Sequence, residues 1–556
     1  MKIASFLVVA CLVAFPAWAG TVKGTVKDGN GKALEGVMVR IADPASGMAE
    51  AVFTNAKGEY KLKTKLHGQL EYRLRTPYYK DVSEVIDLGK NATVEKSLSM
   101  EAMTDPAEIS FSLPAAYHFG NLPFETGPDA VFSRTQFQRD CLTCHQLGND
   151  FTRHVRSAED WELTIERMHA YLGNFDAELK SRRSELLSKG FNGEPLTVRP
   201  VFPLSPALAK VKIYEYKLEE AVLPHDAEIS PDDGLVYISD QFGDQMAVTD
   251  MKTGKTEYYP TPDDGTPYGG RFAELGLPTT IAPDLRHGPH SLALGPDGKW
   301  YTTNAIGGGI GVFDPKTRQW EKIHKVGGNS LYPHTIRFDK HGMAWFTLTF
   351  SEQVARLDPK TGKFDVIDLP YVKPGGVAGG TTPYGIDVSP KDGRVWYSRL
   401  FGDKIGVIDP DTLKVTEYDS PVKGPRRLRF DKDGNLWLTG FSEGMLARIT
   451  PGGDGFKVKI YAMPEFAEGY RPAPYALGVH PKTGDIWVNE IMTDRIFVFH
   501  PKDETFTIYP VPLKGTYTRE VSFTKDGWAC MSNNPSPVQA LEGETAELLC
   551  FDTEAM

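Results

Sequence analysis

The chain is expected to be mainly β: a seven-bladed β-propeller preceded by an N-terminal β-sandwich, with a small α-helical module between them. Three observations predict this. From about residue 220 the sequence repeats itself seven times with a period near 42 to 50 residues, the length of a four-stranded propeller blade. Residues from about 20 to 100 alternate strand-like runs with turn signals. Between these regions lie Cys141-Leu142-Thr143-Cys144-His145 and a helical pattern.

At 556 residues the chain exceeds one ordinary core. Hydrophobic residues at 40% and charged residues at 24% fit folded, soluble protein and exclude a multi-span membrane protein. A formal charge of -11, with no basic run to offset it, argues against a nucleic-acid partner.

Residues 1–19 read as a signal peptide: Lys2, an apolar run from Ile3 to Phe15, then Ala17-Trp18-Ala19 as a small-x-small cleavage site before Gly20. Export to a periplasm is expected, with cleavage after Ala19. No later stretch approaches the roughly 20 apolar residues that a membrane span needs. Cys11 leaves with the leader, so four cysteines remain: Cys141, Cys144, Cys530 and Cys550.

Residues 20–100 form the sandwich, with strands such as Val37–Ile41 and turns such as Gly29-Asn30-Gly31. Gly24 through Val39 follow the pattern G-x-V-x-D-x-x-G-x-x-L-x-G-V-x-V, which resembles carboxypeptidase-regulatory or transthyretin-like modules. Such modules usually serve packing or adhesion. No polar cluster here suggests chemistry.

Residues 101–205 carry the Cys-x-x-Cys-His motif. Its spacing lets two thiols add to the vinyl groups of haem while the adjacent imidazole reaches the iron. A zinc site would need two further ligands at matching spacing, and a thioredoxin-like pair would need a βαβ setting; neither is evident. The motif resembles c-type cytochromes, which implies one covalent haem c on Cys141 and Cys144 with His145 as proximal ligand. Downstream, Trp161, Leu163, Ile165, Met168 and Leu172 suggest a helix with one apolar face, opened by Ser157 as N-cap. Small cytochrome modules of similar layout offer the methionine as sixth ligand, which marks Met168. His169, His154 and His118 are the alternatives, and Met168 is otherwise core filler.

Residues 206–556 form the propeller. Each copy opens on a Pro followed by a polar or aromatic residue and leads to an aromatic strand: Pro289-His290 to Trp300-Tyr301, Pro425-Arg426 to Trp437-Leu438. The seventh copy is degenerate, running from Thr518-Arg519 to Trp528 through Asn533, and it lacks an outer strand. The orphan strand Val211–Lys217 is expected to fill that place and close the ring. Cys530 and Cys550 then lie on neighbouring strands, where a structural disulfide fits an exported protein. The blades, through P-x-x-[IL] … D-G-x-[LIV]-W, resemble the virginiamycin B lyase (streptogramin lyase) family.

Because a blade's first two strands form a hairpin, the start of the first lies beside the end of the second, at one mouth of the channel. One set reads His225, His290, His334, Tyr384, Arg426, Tyr475 and Arg519; the other includes Asp240, Asn304, Arg399, Glu490 and Asn533. Histidine, arginine and tyrosine converging on one opening suit an anionic or oxygen-rich ligand. Arg271, Arg286 and His287 from a long connection are expected to enter the same mouth. A polar, water-filled channel without ligand is the plainer reading.

These elements together point to a haem-linked oxidoreductase that takes a small-molecule substrate in the funnel and meets a periplasmic redox partner. The lyase resemblance implies an alternative: His290 or His334 as base, with Glu490 and Mg²⁺ stabilising the developing anion. A non-enzymatic electron carrier is the third expectation.

Overall fold

A computed structural model describes residues 20–126, 133–171, 176–373, 380–452 and 455–555. Residues 1–19, with the expected leader and Cys11, and Leu172 lie outside this set.

Six consecutive four-stranded antiparallel sheets span residues 224–260, 289–325, 333–368, 383–419, 425–462 and 474–510. The seventh is assembled from both ends of the propeller: Ser522–Phe523, Ala529–Asn533 and Glu547–Asp552 are completed by Lys212–Lys217, which pairs with Glu547–Asp552. Cys530 faces Cys550 in this register, and the two form a disulfide with an S–S distance of 2.11 Å. The aromatic residue of each second strand fills the space towards the next blade. Tyr237 stacks on Trp300 at 4.9 Å, and Trp437 meets Phe499 at 5.6 Å. Each such ring contributes about 1.5–3 kcal/mol by leaving water.

The inner strands share one irregularity that shapes the channel. In the first six blades the register slips after the opening Pro, so that two residues of the first strand oppose one of the second: Pro224 pairs with Asp240 and Ala227 with Ile238, and the same slip recurs through Pro474 and Leu477. Such a bulge bends the strand and re-aims its side chains. The residue opposite the bulge is Ser, Thr or Asn in every copy, and its side chain bonds the carbonyl of the first bulge residue in the following blade. Ser239 Oγ donates to His290 O at 2.6 Å and Thr347 Oγ1 to Tyr384 O at 2.9 Å; Thr303, Ser398, Thr439, Asn489 and Ser532 do the same for His334, Arg426, Tyr475, Arg519 and His225. These seven bonds stitch the ring shut around its axis. Gly385 completes the arrangement, since a Cβ there would stand 2.6 Å from the Arg426 carbonyl.

The N-terminal domain is a two-layer β structure with a core of Val22, Val39, Ile41, Leu62, Tyr72 and Leu74. The strand Glu59–Thr64 alternates exposed and buried residues, the signature of a sheet wet on one face. One of its sheets does not end at the domain border. Met48–Phe53 pairs with Lys212–Lys217, so a single eight-stranded sheet runs from the seventh blade into the sandwich. The orphan strand is therefore paired on both edges.

Ion pairs fasten the same border: Arg75 holds Glu542 at 2.7 Å and Asp81 at 2.6 Å, and Arg73 holds Glu542 at 3.0 Å. Burial alone would raise the Glu542 carboxyl, but the hydrogen bond and charge of Arg75 outweigh it and hold the group at about 2, against an ordinary 4.5. A depressed carboxyl stabilises the fold above its unfolded value and ceases to do so as pH falls through the folded one. The contact is accordingly expected to weaken between pH 4.5 and 2. Hydrogen exchange in Gly68–Arg75 should accelerate over that window, and Glu542→Gln should remove the pH dependence.

Between sandwich and propeller the described residues form five α-helices: Pro106–Ser112, Ala115–Gly120, Arg134–Cys141, Ala158–Tyr171 and Ala177–Gly190. Ser157 caps the fourth, its Oγ accepting from Asp160 N at 3.1 Å. Trp161 and Ile165 are buried in it and Met168 is half-buried, but Leu163 is 73% exposed. The expected apolar face therefore excludes Leu163, because two residues along a helix is a turn of about 200°. Among the described residues no helix is long and apolar enough to cross a membrane.

Candidate functional site

The bulges bring the first residues of the blades together at the channel axis. The His225 and His290 rings lie 3.6 Å apart between centroids, His290 and His334 4.1 Å, and His334 and Tyr384 4.1 Å. Arg426 lies over the Tyr475 ring at 3.9 Å and the Phe441 ring at 4.3 Å, and donates through Nη2 to Tyr384 Oη at 2.9 Å. Tyr384 and Tyr475 join by their hydroxyls at 3.0 Å, and Arg519 Nη1 donates to Tyr475 Oη at 3.4 Å. All seven residues are thus linked in one continuous cluster of rings and guanidiniums; His334 touches Tyr384 on one side and His290 on the other.

Electrostatically the ring is less mixed than its composition suggests. Burial first, then Arg519, pushes His225 down to about 3; burial and neighbouring imidazoles or guanidiniums hold His290 and His334 well below the usual range. All three imidazoles are neutral at neutral pH. Positive charge therefore rests on Arg426 and Arg519. Burial would raise the Tyr475 phenol, but Arg426, Arg519 and Arg427 outweigh it and lower its pKa.

A second layer, from the other bulge residue, lies beneath. His225 Nδ1 meets Asp226 Oδ1 at 2.9 Å, Asp226 holds Arg427 at 2.9 Å, and Arg427 reaches Glu520, which also binds Arg337 at 3.2 Å and Arg429. Asp226, Arg427 and Glu520 are all buried. Sequence reasoning missed this layer because it took one channel residue from each first strand; the polar dipeptides His225-Asp226, Arg426-Arg427 and Arg519-Glu520 were the available signal.

The residues expected at the strand ends do not join the cluster. Glu490 accepts from Ala473 N at 2.6 Å, Met492 N at 2.8 Å, Thr493 N at 2.7 Å and Thr493 Oγ1 at 2.5 Å. Asp240 accepts from Val222 N, Leu223 N, Gly243 N and Gln245 Nε2. Arg399 is paired with Glu352 and Glu417 and bonds Thr381. Asn304 and Asn533 bond Thr302 and Glu547. These groups brace the loops at the rim. The basic side chains of the long connection are also engaged locally: Arg271 with Glu274, Arg286 with Asp263 and Thr266 O, His287 with Asp264 and Pro262 O.

The loop Cys141–His145 sits on this cluster. Tyr517 Oη, next to the ring, stands 2.6 Å from Thr143 O and 2.8 Å from Leu142 O and donates into that pair. Ser536 N donates to Cys144 O at 3.0 Å, and Gln146 Nε2 donates to Asp494 Oδ1 at 2.9 Å and Thr516 O at 3.0 Å. Gln138 Nε2 reaches Phe441 O at 2.7 Å. One apolar cluster runs from Leu142, Trp161, Ile165 and Leu187 into Tyr384, Tyr475 and Tyr517. Cys141 and Cys144 are free thiols, and the charges acting on Cys144 are those of Arg519 and Arg426. His145 Nδ1 lies 2.7 Å from Gln146 O.

Of the candidate second ligands, Met168 is half-buried beside Arg167, whose charge reaches His145. His169 accepts from Arg183 Nη1 at 3.0 Å, His118 Nε2 is 2.9 Å from Ser110 O, and His154 is exposed. Among the described residues no group of three His, Cys, Asp or Glu side chains is placed to hold a metal ion.

Residues 278–469 match the Virginiamycin B lyase family and residues 21–101 the Carboxypeptidase regulatory-like domain. No curated protein matches the chain. Solved structures similar to it include a streptogramin B lyase (20% identity, 63% of this chain and 100% of that one, TM-score 0.49). A virginiamycin B lyase from Staphylococcus aureus is 19% identical over 61% of this chain and 99% of its own, with TM-score 0.47. Kuenenia stuttgartiensis hydrazine synthase is 15% identical over 60% and 96%, with TM-score 0.44. The chain thus carries a propeller segment similar to the Virginiamycin B lyase family and an N-terminal segment similar to the Carboxypeptidase regulatory-like domain.

Proposed function

We propose that the chain is an exported mono-haem c-type cytochrome fused to a propeller, acting as an oxidoreductase on a small anionic or oxygen-rich molecule held in the funnel. The observation that carries this reading is the seat of the Cys-x-x-Cys-His loop on the ring, through the Tyr517 hydroxyl and the Leu142 and Thr143 carbonyls.

The residues fit a covalent haem. Both thiols are free, and Cys144 has exposed surface, so it is open to addition across a vinyl group. With Nδ1–H given to the Gln146 carbonyl, the His145 Nε2 lone pair is left for iron, the tautomer a ligating imidazole needs. Met168 is the proposed sixth ligand. When bound, haem supplies one-electron transfer.

The chain's own groups hold and orient the substrate. Arg426 and Arg519 attract its negative charge, Tyr384 and Tyr475 wall it, and the neutral imidazoles of His290 and His334 offer lone pairs to its acidic hydrogens. His225, fixed by Asp226, accepts at Nε2 from Tyr475, 3.5 Å away. A periplasmic redox partner completes turnover.

The Mg²⁺-dependent lyase reading has less support. The oxygens of Glu490 and Asp240 already accept backbone and side-chain hydrogens, so neither fits a cation, and no step is derived through one.

Visible spectroscopy of the exported protein mixed with small hydroxy acids and nitrogen oxyanions tests the proposal. At least one should change the haem redox state, about ten- to a hundredfold more slowly in Arg426→Gln, the loss expected for a hydrogen bond to charge. Spectra unmoved by any of these compounds, or rates indifferent to Arg426, would overturn it.

A further inference from the structure

Two buried charges on the ring have no counter-charge. Arg426 is fully buried and Arg519 is 3% exposed. The neighbouring guanidiniums of the channel are matched: Arg427 with Asp226 and Glu520, Arg337 and Arg429 with Glu520. Among the described residues no carboxylate lies within ion-pair distance of Arg426 or Arg519, and the groups acting most strongly on Arg426 are the phenols of Tyr384, Tyr517 and Tyr475. Hydrogen-bonding capacity is also unspent. Arg426 uses Nη2 on Tyr384, while its Nε and Nη1 have no partner; Arg519 uses Nη1 on Tyr475 and Nη2 on Asn534 O, while its Nε has none.

A lone buried charge is costly, so a fold that keeps two of them around one ring, that of Tyr475, is arranged for a ligand that brings the opposite sign. The shape of the place restricts the ligand further. Phe441 and Tyr475 lie at 4.3 and 3.9 Å on the Arg426 guanidinium, which leaves its edge to make contacts. Tyr517 flanks Arg519 at 4.8 Å. Flat aromatic walls around a planar fork favour a planar anion with two oxygens. The same Tyr517 donates to the Leu142 and Thr143 carbonyls, which puts the place beneath the Cys-x-x-Cys-His loop.

We infer that Arg426 and Arg519 form a carboxylate subsite between the funnel and the Cys141–His145 loop. The carboxylate comes either from a free small-molecule acid or from a haem propionate. The subsite is that of the function proposed above, and only the propionate source depends on haem being present.

The test uses the full exported protein with acetate, succinate and benzoate as probes, read by calorimetry and by thermal unfolding at matched ionic strength with chloride as control. Saturable binding that raises the unfolding temperature, and weakens at least about tenfold in Arg426→Gln and Arg519→Gln, establishes the subsite as one for free acids. Arg426→Lys, which keeps charge but loses the fork, should retain part of the binding and guards against misfolding of the glutamine variants. If no probe binds but the same variants shift the haem midpoint potential and its pH dependence, the occupant is a propionate. The absence of both effects overturns the inference. A colourless protein that still binds benzoate through Arg426 would sink the haem reading while leaving the subsite standing.

Discussion

Arg427→Ala is expected to lower the unfolding free energy by about 3–5 kcal/mol, the range for removing one partner of a buried ion pair. Arg427 is fully buried and is the charge that Asp226 and Glu520 share across the channel. Its removal leaves two buried carboxylates without their main partner. Asp226 now sits well below the usual carboxylate range: burial would raise it, but Arg427 together with His225 and His290 outweighs that burial. The double variant Arg427→Met, Asp226→Asn should recover much of the loss, since it replaces a buried ion pair by neutral groups while Glu520 keeps Arg337 and Arg429. Denaturant unfolding of the three proteins decides it. A single-variant loss below about 1 kcal/mol, the scale of an exposed pair, would mean that the network is solvated and the account of the second layer is wrong.

The two cysteine pairs should behave in opposite ways. Replacing Cys141 and Cys144 by serine is expected to give a colourless protein with the propeller still folded, since neither thiol is bonded to another group in the chain. Replacing Cys530 and Cys550 by alanine should leave the colour and cost about 3 kcal/mol of stability, the chain-entropy estimate for the loop that this disulfide closes. Absorption spectra and denaturation midpoints of both double variants separate the roles. Colour lost from the second pair, or retained in the first, would reverse the assignment.

The propeller was legible because its signal is repeated: a Pro-polar start and an aromatic second strand recur in register, and the orphan Val211–Lys217 had one unfilled place to go. What pairs with its other edge was not legible. Met48–Phe53 lies far away in sequence, and no local pattern marks a strand that is shared between two domains.

The candidate site was half legible. Position within the repeat is what gathers His225, His290, His334, Tyr384, Arg426, Tyr475 and Arg519, because strand starts are fixed by topology. The same logic carried Glu490, Asp240 and Arg399 to the rim but could not tell whom they bond. Backbone N–H groups of tight loops such as Met492-Thr493 compete for carboxylates as strongly as any ligand does, and they win where the loop is buried. The bulge that doubles the channel residues, and with it the Asp226–Arg427–Glu520 layer, depends on strand register, which spacing alone does not reveal.

The mass of the exported protein tests the central claim most directly. If the Cys141–His145 loop carries haem at the funnel mouth, the peptide containing Cys141 and Cys144 carries the added mass of one haem. A peptide of bare mass, with both thiols open to alkylation in material from a cell competent to attach haem, would contradict it.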